Sequence, residues 1–405
     1  MRVRHLSFSS SGGAGRVATE LARLQSQDGI DSKLLSKIPS SLTESPFKEP
    51  VVTALAGLDA ILSNNTQPTL FTHYRDLVST RHLEELKDAD ILHLHWTPGL
   101  INTKDILHIA NLQPKLGIVW TLHDMFVFTG GCHHSFECTG YKENCSNCPQ
   151  VRPFFREKPV IALTTKSMNI SNSRSISFVS PSKWMAESAR SSTILRGSEV
   201  SVIPNPVNQN FSDSPLSQTK SREIHNYRDD TVMAILIAED LSDPNKAIQH
   251  FVDLVDEFNS KSDQPIEVIL VGRNSNTIHA SETILHRVGS ITSSKLAQLL
   301  PAADFLAVPS RMENAPSIVL EAASVGVPSL VNSHNEGAVE LAIGINLGEL
   351  LNSGPLVLSV IQDLTESRRL SSEELRRTAL NYASGAVSAR LYMDLYERVL
   401  ENLSH

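Results

Sequence analysis

The segment that decides the fold is ADFLAVPSRMENAPSIVLEAASVGVPSLVN, residues 303–332. An apolar run that ends in Pro-Ser comes first, and a second apolar run, VPSLVN, comes last. Between them lies a run of small and apolar residues that is typical of a helix, and Pro316 is well suited to its first position. A strand, a helix and a second strand in this order predict a βαβ unit with parallel strands.

The same alternation continues through the chain. Because 405 residues exceed what one compact core usually holds, we expect an α/β protein with two tandem, doubly wound, Rossmann-like domains and an interdomain cleft. The predicted domains are residues 1–205 and 206–385, and the last helix, 386–405, is expected to pack back on the first. The predicted strands are RVRHLSFS, DSKLLSK, ADILHLHW, GIVWTLHD, ISFVSPS, EVSVIPNP, TVMAILIAE, PIEVILVG, HRVGSI, DFLAVPS and VPSLVN.

Two segments near the predicted boundaries differ from this alternation. Residues 209–230 are polar and aperiodic, and their Ser, Asn, Asp and Pro content predicts a linker or a domain boundary. In the last helix, apolar residues recur at helical spacing and predict one buried stripe, formed by Tyr392, Leu395, Tyr396 and Val399.

The charge balance and the apolar runs weigh against several classes of protein. Lys and Arg number 36 against 44 Asp and Glu, a net charge of −8, which argues against nucleic acid as a partner. The segment MRVRHLSFSSSGG lacks the apolar core of a secretory signal, and no apolar run approaches the roughly 20 residues that span a bilayer. We therefore expect a cytoplasmic protein, with peripheral contact at the inner face of the membrane left open.

Two short motifs have features of phosphate sites. In SSGGAGR, Gly12, Gly13 and Gly15 follow a strand and open a helix, so the backbone can approach an anion closely. The spacing differs from the dinucleotide-binding GxGxxG, and a simple strand-to-helix turn explains it equally well. In DPNKAIQHFVDLV, Lys246 lies at the front of a helix, where an ammonium can contact a phosphate; a solvated surface lysine is the alternative.

Two glutamates in the opening segment are suited to a sugar. Glu313 lies in the loop before the helix, and Glu321 lies within it. Carboxylates accept hydrogen bonds from hydroxyls, and the helix N-terminus beside Asn314 and Ala315 suits a diphosphate. One element could thus hold a sugar, a diphosphate and a ribose, although a helix-start charge and an ordinary helical glutamate are also common.

The order of these features resembles glycosyltransferase family 4, a family of retaining, nucleotide-sugar-dependent enzymes with the GT-B fold. The matching features are the glycine loop, TLHD at 121–124, DPNK at 243–246 and PSRMENAPSIVLEAASVGVPSL at 309–330. The block WTLHDMFVFTGGCHHSFECTGYKENCSNCPQ, with VSPSKWMAESA and SVIPNPV, is similar to a subgroup tied to polysaccharide and glycolipid assembly. The resemblance covers nearly the whole chain.

The resemblance implies a role for each matching residue. Glu313 would face the hydroxyls of the donor sugar, Glu321 would hold the nucleotide ribose, and Lys246 would neutralise the diphosphate. His123 would lie near the reacting centre and orient the sugar. Asn314 and Ala315 would contribute to the donor site at the helix N-terminus.

The resemblance also implies an activity and its partners. The expected reaction is retaining, hexosyltransferase-like transfer from a UDP- or GDP-sugar to a glycan, glycolipid or small-molecule acceptor, in polysaccharide or glycolipid biosynthesis. Gly12 and Gly13 would form a loop that closes over the diphosphate. No cofactor is expected for catalysis, because Lys246 and the helix N-terminus replace a metal ion.

The sequence departs from the family pattern beside Lys246. Asp240 stands where the family has an arginine, and Ala247 stands where it has a glycine. Arg273 in LVGR or Arg311 in PSRM could supply the positive charge that is missing. Two alternatives therefore stay open: a nucleotide-sugar epimerase on the same fold, and a nucleotide-binding homologue that has lost catalysis.

Three histidines lie at strand ends in the first domain. The position of His123 at the carboxyl end of a parallel strand favours a ligand contact, and a core histidine bonded to backbone is the alternative. His93 and His95 are predicted to alternate across their strand, so that only one of them faces the cleft.

All four cysteines lie in one short segment, in a C-x5-C-x6-C-x2-C pattern formed by Cys132, Cys138, Cys145 and Cys148. Their clustering indicates a local site rather than a disulfide framework. A structural zinc ion is predicted, with reduced thiols or a disulfide pair as alternatives. We assign this loop to structure and to the shape of the acceptor side.

Overall fold

The computed structural model describes residues 1–38, 70–74, 86–173, 176–213, 215–351 and 371–404. The chain divides into two compact units. Unit 1 consists of Met1–Pro204 and Ser388–His405, and unit 2 consists of Asn205–Val387.

Unit 1 is built on a six-stranded parallel sheet with the order β2-β1-β3-β4-β5-β6. Its strands are β1 (Arg2–Ser9), β2 (Asp31–Ile38), β3 (Ile91–Leu94), β4 (Gly117–Thr121), β5 (Ile176–Ser180) and β6 (Val200–Val202). The helices described in this part of the chain are α1 (Gly12–Gln27), α2 (Thr103–Leu112), α3 (Glu157–Ser171) and α4 (Lys183–Ser191).

Unit 2 is built on a second six-stranded parallel sheet with the order β12-β11-β10-β7-β8-β9. Its strands are β7 (Val232–Asp240), β8 (Ile266–Arg273), β9 (Leu285–Gly289), β10 (Phe305–Val308), β11 (Ser329–Asn332) and β12 (Gly348–Leu351). The helices that follow α4 are α5 (Gln209–Ser212), α6 (Gln218–His225), α7 (Ile248–Asn259), α8 (Ser293–Leu299), α9 (Ser317–Ser324), α10 (Glu336–Val339), α11 (Ser372–Ala383) and the last helix, α12 (Gly385–Ser404).

Apolar side chains on both faces of the strands explain why helices cover both sides of each sheet. All residues of β3, β4 and β10 are buried, as expected for parallel strands that are covered on both faces. In unit 2, Ile235 and Ile269 belong to one apolar cluster, whereas their chain neighbours Leu236 and Leu270 belong to another. Since successive strand residues point to opposite faces, the two clusters are the two cores on either side of the sheet.

The strand order reverses once in each sheet, and this reversal positions the candidate sites. In unit 1 the chain moves from β2 across β1 to β3, and in unit 2 it moves from β9 across β7 to β10. Loops diverge at such a switch point and leave a crevice at the carboxyl ends of the strands, where ligands bind in open α/β sheets. Lys246 follows β7 and Glu313 follows β10, so both lie on this edge of unit 2.

Two features of unit 2 differ from the expectations drawn from the sequence. Residues 209–230 follow the boundary between the units at Pro204 and Asn205, but they are not a linker, because they contain α5 and α6 and lie within unit 2. One polar residue of this segment, Arg222, is buried and anchors α6 to the rest of unit 2. It donates from Nη2 to Asp304 Oδ2 at 2.8 Å and from Nε to the Ala302 carbonyl at 2.9 Å. The edge strand β12 was not predicted because its sequence, GELL, is short and only partly apolar.

The last helix packs into the core of unit 1. The four residues of the predicted stripe in α12 are all buried there, in one cluster with apolar residues of β1, β3 and β4. A Cβ added at Gly117 would lie 2.8 Å from Cγ1 of Val399, so the helix lies closely against β4. Within the described ranges, no helix combines the length and the apolar character that crossing a bilayer requires.

We expect Leu395→Ala to destabilise unit 1 by about 3 kcal/mol, because it removes a buried side chain and leaves a cavity beneath β3 and β4. Guanidinium titration followed by hydrogen exchange in β1, β3 and β4 measures the effect. Glu397→Ala, an exposed change two residues away on the same helix, is the control and should stay within about 0.5 kcal/mol. Equal effects of the two changes would contradict the packing role of α12.

Candidate functional site

A lysine and a glutamate meet at the switch point of unit 2. Nζ of Lys246 donates to Oε1 of Glu313 at 2.5 Å, and their side chains are 27% and 17% exposed. Burial acts to lower the pKa of Lys246, but the Glu313 carboxylate, together with Asp243 and Glu239, outweighs it, and the net effect is a raised pKa. Lys246 is therefore cationic at neutral pH, and its charge is matched by the carboxylate.

Asn245 joins the two loops that carry this pair. Its Nδ2 donates to the Met312 carbonyl at 3.0 Å, and the backbone N–H of Arg311 donates to the Asn245 carbonyl at 2.8 Å. Asn245 is buried, so these bonds are shielded from water. They fix the DPNK turn after β7 against the loop after β10.

Asn335 and Gly337 hold the Glu313 loop from the other side. Oδ1 of the fully buried Asn335 accepts from the Glu313 backbone N–H at 2.9 Å, and its Nδ2 donates to the Ser310 carbonyl at 3.0 Å. A Cβ at Gly337 would overlap the carbonyl oxygens of Glu313 and Asn314. Sequence reasoning missed both residues, although an asparagine before a short helix in NEGAV is a capping signal.

Helix α9 follows this loop, and no side chain caps its N-terminus. The helix begins at Ser317, so Pro316 is the residue before the helix rather than its first residue, as was predicted. The first N–H groups of a helix lack partners within the helix and carry partial positive charge, here beside Asn314 and Ala315. Glu321 lies inside α9 and is 8% exposed.

Asp240 and Arg273 lie beside each other at the ends of β7 and β8. Asp240 accepts from the hydroxyl of Ser242 at 2.6 Å and from Nδ2 of Asn274 at 2.9 Å, and these hydrogen bonds lower its pKa. Arg273 pairs with Glu239 at 3.4 Å. The arginine that the family pattern places here is thus replaced by an ionised carboxylate, and the charge of Arg273 is already matched by a carboxylate.

Ala247, at the position where the family pattern has a glycine, has a backbone conformation that favours glycine. Its φ of 50° and ψ of 32° lie in the left-handed region, which costs an L-residue roughly 1–2 kcal/mol. The turn between Lys246 and α7 therefore carries backbone strain at Ala247.

The glycines of SSGGAGR in unit 1 have different structural roles. Gly12, the first residue of α1, has a φ of 75°, which favours glycine. Apart from the adjoining residues and the backbone of α1 itself, no atom of the described residues lies within 4 Å of a Cβ built on Gly12 or Gly13. A Cβ on Gly15 would overlap the Ser9 carbonyl, so the close approach of α1 to β1 depends on Gly15. The space around Gly12 and Gly13 leaves room for the predicted ligand.

His123 is the partly exposed end of a hydrogen-bonded chain of histidines. Its Nε2 lies 2.9 Å from Nδ1 of His95, whose Nε2 lies 2.9 Å from Nδ1 of His5. Nε2 of His5 lies 2.9 Å from Oε1 of Gln25 in α1. Burial lowers the pKa of His123 to about 4, although the Asp124 carboxylate acts to raise it, so the ring is neutral at pH 7.

The prediction that His93 and His95 alternate across their strand was wrong. Residues two apart in a strand lie on the same face, and both rings point to the side on which His5 lies. His93 has different partners: its Nδ1 lies 2.6 Å from the Tyr396 hydroxyl, and its Nε2 lies 2.7 Å from Oγ1 of Thr121.

Asp124 orders the loop that follows His123. Its Oδ2 accepts from Nε1 of Trp96 at 2.7 Å and lies 2.6 Å from Nδ1 of His133, while Oδ1 accepts from the Phe126 N–H at 2.8 Å. Burial acts to raise the pKa of Asp124, but His133 and these hydrogen bonds lower it to about 2. The ionised carboxylate thus ties the TLHD strand end to the cysteine-containing loop.

The four cysteines are free thiols that line one cavity of about 320 Å³. Burial raises the pKa of Cys132 and Cys148, that of Cys148 to about 11, so both stay protonated at neutral pH. Tetrahedral zinc would place the sulfurs about 3.8 Å apart, but within the described part of the chain no three cysteine sulfurs lie within 4.8 Å of one another. This arrangement does not fit zinc as it stands, and zinc stays a prediction.

We expect Gly337→Ala to destabilise unit 2 by about 1–3 kcal/mol and to displace the Glu313 loop, because its Cβ would overlap two carbonyl oxygens of that loop. Denaturant unfolding measures the loss. Gly344→Ala is the matched control, since its Cβ would make an ordinary 3.7 Å contact with Glu340. An unchanged stability for Gly337→Ala would contradict the close approach.

Two family models match this chain. Residues 11–211 match Glycosyltransferase Family 4, and residues 233–354 match Glycosyl transferases group 1. The protein WcaC of Escherichia coli (strain K12), named as a glycosyl transferase of colanic acid biosynthesis, is 25% identical over 360 residues, 82% of this chain and 82% of its own length.

Solved structures share the architecture of the whole chain. Sucrose-phosphate synthase from Thermosynechococcus elongatus aligns with a TM-score of 0.64 and 13% identity, over 99% of this chain and 100% of that one. The Anabaena protein HepE, in complex with UDP-glucose, aligns with a TM-score of 0.60 and 15% identity, over 100% and 99% of the two chains. At these identities the likeness bears on the fold. Together, the two family matches and the two six-stranded parallel sheets identify the chain as a glycosyltransferase of the GT-B fold.

Proposed function

We propose that the chain transfers a sugar from a nucleotide-diphosphate sugar to an acceptor hydroxyl, with retention of the anomeric configuration. The observation that carries this proposal is the Lys246–Glu313 pair beside the uncapped start of α9. A carboxylate suits sugar hydroxyls, and a cation beside a helix N-terminus suits a diphosphate. These are the chemical groups of such a donor.

Lys246 and Glu313 are coupled through their contact. A diphosphate has to compete with the Glu313 carboxylate for the ammonium, because the two side chains already form a hydrogen bond. When sugar hydroxyls donate hydrogen bonds to Glu313, they replace part of the stabilisation that the ammonium gives to the carboxylate. Lys246 can then bind the phosphates instead. Sugar and diphosphate binding should therefore reinforce each other within unit 2.

Departure of the diphosphate is the step that this site would assist. The bond from the anomeric carbon to the phosphate oxygen breaks, the acceptor oxygen bonds to that carbon on the same face, and the acceptor proton passes to the leaving phosphate. Preorganised positive charge from Lys246 and the α9 N–H groups stabilises the negative charge that develops on the diphosphate. Glu321 would hold the ribose hydroxyls of the nucleotide, and neutral His123 in unit 1 would orient the sugar.

The relatives favour a role in surface-polysaccharide assembly. WcaC is named for colanic acid biosynthesis, and another structure with the same fold is that of WaaG, described as involved in lipopolysaccharide biosynthesis. HepE was solved with UDP-glucose, which supports a UDP-sugar as the first donor to test. The acceptor would be a growing glycan or glycolipid.

The donor assignment is tested by calorimetry with UDP, GDP and the corresponding sugars on Lys246→Met and Glu313→Gln. We expect Lys246→Met to lower the affinity for the bare nucleotide and for the nucleotide sugar alike, by about tenfold to a hundredfold, because a charge-assisted phosphate contact is lost. Glu313→Gln should bind the bare nucleotide as well as the parent or more tightly, since Lys246 is released from its partner. The affinity of Glu313→Gln for the nucleotide sugar should fall about tenfold.

The control is the exposed Lys220–Glu223 pair of α6, with its ammonium and carboxylate 2.7 Å apart. Lys220→Met and Glu223→Gln should leave both affinities unchanged. If Glu313→Gln weakened bare nucleotide and nucleotide sugar equally, the sugar contact would be refuted. Product formed from donor without acceptor would favour the epimerase.

A peripheral membrane contact would fit this role, and the start of α3 carries suitable groups. Phe154, Ile161 and Met168 are 91%, 60% and 54% exposed, although all three are large and apolar. The exposed cations Arg152, Arg156 and Lys158 flank Phe154, against one exposed acid, Glu157. We propose that this surface, residues 152–168, binds anionic lipid, since basic side chains attract it and apolar ones insert.

Sedimentation with vesicles of phosphatidylcholine, with and without phosphatidylglycerol, tests this surface. We expect binding only to the anionic vesicles, weaker at high salt, and a tenfold or greater loss in the double variant Phe154→Ser, Ile161→Ser. Ile284→Ser, a change at a 57% exposed isoleucine of unit 2, is the matched control. Equal binding to neutral vesicles, or equal binding of the double variant, would refute the contact.

A further inference from the structure

A small cavity lies in unit 1 between β4, α2 and α3. It has a volume of about 40 Å³, and Trp120 of β4, Thr103 of α2 and Lys166 of α3 are among the residues that line it. Exposed Gly99 also lines the cavity, so it reaches the surface. Since one water-sized group needs roughly 10–15 Å³, the cavity has room for about three such groups. This space suits the tip of a ligand and is too small for a sugar ring or a diphosphate.

Trp120 carries a hydrogen-bond donor without a partner. Its Nε1–H can only donate, and it bonds to no acceptor among the described residues, although the residue is only 1% exposed. Thr121, the next residue of β4, bonds to Tyr392 of α12, so Trp120 points to the other side of the sheet, on which Lys166 lies. Because a buried donor without a partner is costly, this N–H indicates a place for an acceptor.

Lys166 is a fully buried cation beside the same cavity. Its Nζ donates to the carbonyl oxygens of Phe126 at 2.5 Å and Thr129 at 3.1 Å, and it lies 3.6 Å from the centre of the Phe126 ring. These partners are dipoles and a ring face. Within the described part of the chain, no carboxylate oxygen lies within 4.0 Å of Nζ. A buried ammonium without a counter-charge is costly, and an anion beside it would offset that cost.

The protein groups around Lys166 compensate its charge only in part. Burial lowers the pKa of Lys166 to about 7, although Cys132, Asp124 and Cys145 act to raise it. The two cysteines are free thiols, and burial raises the pKa of both. Oδ2 of Asp124 is engaged by Trp96 at 2.7 Å and by His133 at 2.6 Å. None of these groups is therefore a dedicated counter-ion for the ammonium.

Water and larger anions are the competing occupants of the cavity. A water molecule can accept from Nε1–H of Trp120, but it brings no negative charge to Lys166. A phosphate or sulfate ion brings charge, but its five heavy atoms exceed the space for about three groups. A carboxylate group has three heavy atoms, is planar and carries a full negative charge.

We propose that this cavity is a binding site for a carboxylate group, which accepts from Nε1–H of Trp120 and compensates the charge of Lys166. Both protein groups can only donate, and an ionised carboxylate can only accept. Such a group could belong to a free small carboxylate or to an acidic sugar of the acceptor. The site goes beyond the donor contacts of unit 2, and only the second source rests on the proposed function.

The indole N–H signals in the NMR spectrum of the full chain test this contact without donor or transfer. The chain has three tryptophans, Trp96, Trp120 and Trp184, and Trp120→Phe identifies the Trp120 signal by its loss. At pH 6, where Lys166 is protonated, we expect acetate to shift the Trp120 signal in a saturable way and to leave the other two unchanged. Acetamide, which has a similar shape but no charge, should have no effect. No shift with acetate, or an equal shift with acetamide or chloride, would overturn the proposal.

A variant of the cation gives a second readout. Lys166→Met should lower the affinity for acetate about tenfold or more, because the charge partner is lost. Lys104→Met removes an exposed lysine near the start of α2 and is the matched control, so its affinity should equal that of the parent. Equal affinities of Lys166→Met and the parent would contradict the site. If Lys166→Met does not fold, the titration of the parent still decides.

Methyl glucuronide and methyl glucoside distinguish the two sources of the carboxylate. A Trp120 shift with the glucuronide at lower concentration than with acetate, and none with the glucoside, assigns the site to an acidic acceptor sugar. A shift with acetate alone assigns it to a free small carboxylate. If no nucleotide sugar is turned over, the proposed function fails and these titrations still stand. If transfer occurs but neither probe shifts the Trp120 signal, the carboxylate site fails and the proposed function stands.

Discussion

The contact between Lys246 and Glu313 is the constraint on which the unit 2 site depends. An ammonium and a carboxylate that are mostly shielded from water need each other, because a shielded charge without a partner is costly. The surroundings keep them together: Asn245 joins their loops, and Asn335 holds the Glu313 backbone. Under the proposed function, a ligand would have to replace both partners of this contact together, because replacing one would leave the other charge without its partner.

The two units use opposite electrostatics at their strand ends. Unit 2 gathers formal charges, Lys246 and Glu313, beside the partial charge of a helix end. In unit 1, burial lowers the pKa of His123 and keeps the ring uncharged at neutral pH, and its Nε2 lies 2.9 Å from Nδ1 of His95.

The apolar pattern of the sequence was sufficient to predict the fold, because buried parallel strands appear in a sequence as continuous apolar runs. The eleven predicted strands correspond to eleven of the twelve strands that the structure describes, and the exception, β12, is a short edge strand. The error at residues 209–230 has a similar cause: a helix that contributes one buried anchor, Arg222, has no apolar period to detect. The composition of a segment indicates roughly how much of it is buried, but it does not identify a single buried residue that anchors the segment to its neighbours.

The site was only half predictable, for a different reason. Glu313, Lys246 and His123 follow strands, so chain order and strand direction are enough to find them. Asn335 and Gly337 lie in a separate βα connection, where Asn335 accepts from the Glu313 N–H and Gly337 lies against the Glu313 carbonyl. Both contacts depend on how the two connections pack together, which the local sequence does not show. The pairing of His5 with His93 across β1 and β3 likewise depends on sheet register. Non-local hydrogen bonds were thus the part that sequence reasoning missed.

The substitution at Asp240 gives the coupling in unit 2 its importance. With a carboxylate in place of an arginine, and with Arg273 matched by Glu239, Lys246 has less help in attracting phosphates. A site with abundant positive charge would hold any nucleoside diphosphate firmly, with or without a sugar. Under the proposed function, a bare diphosphate would bind less well here, because it would have to break the contact between Lys246 and Glu313 without compensation. The absence of the arginine would then shift recognition from the nucleotide toward the complete donor, because sugar hydroxyls that donate to Glu313 would leave Lys246 available to the phosphates.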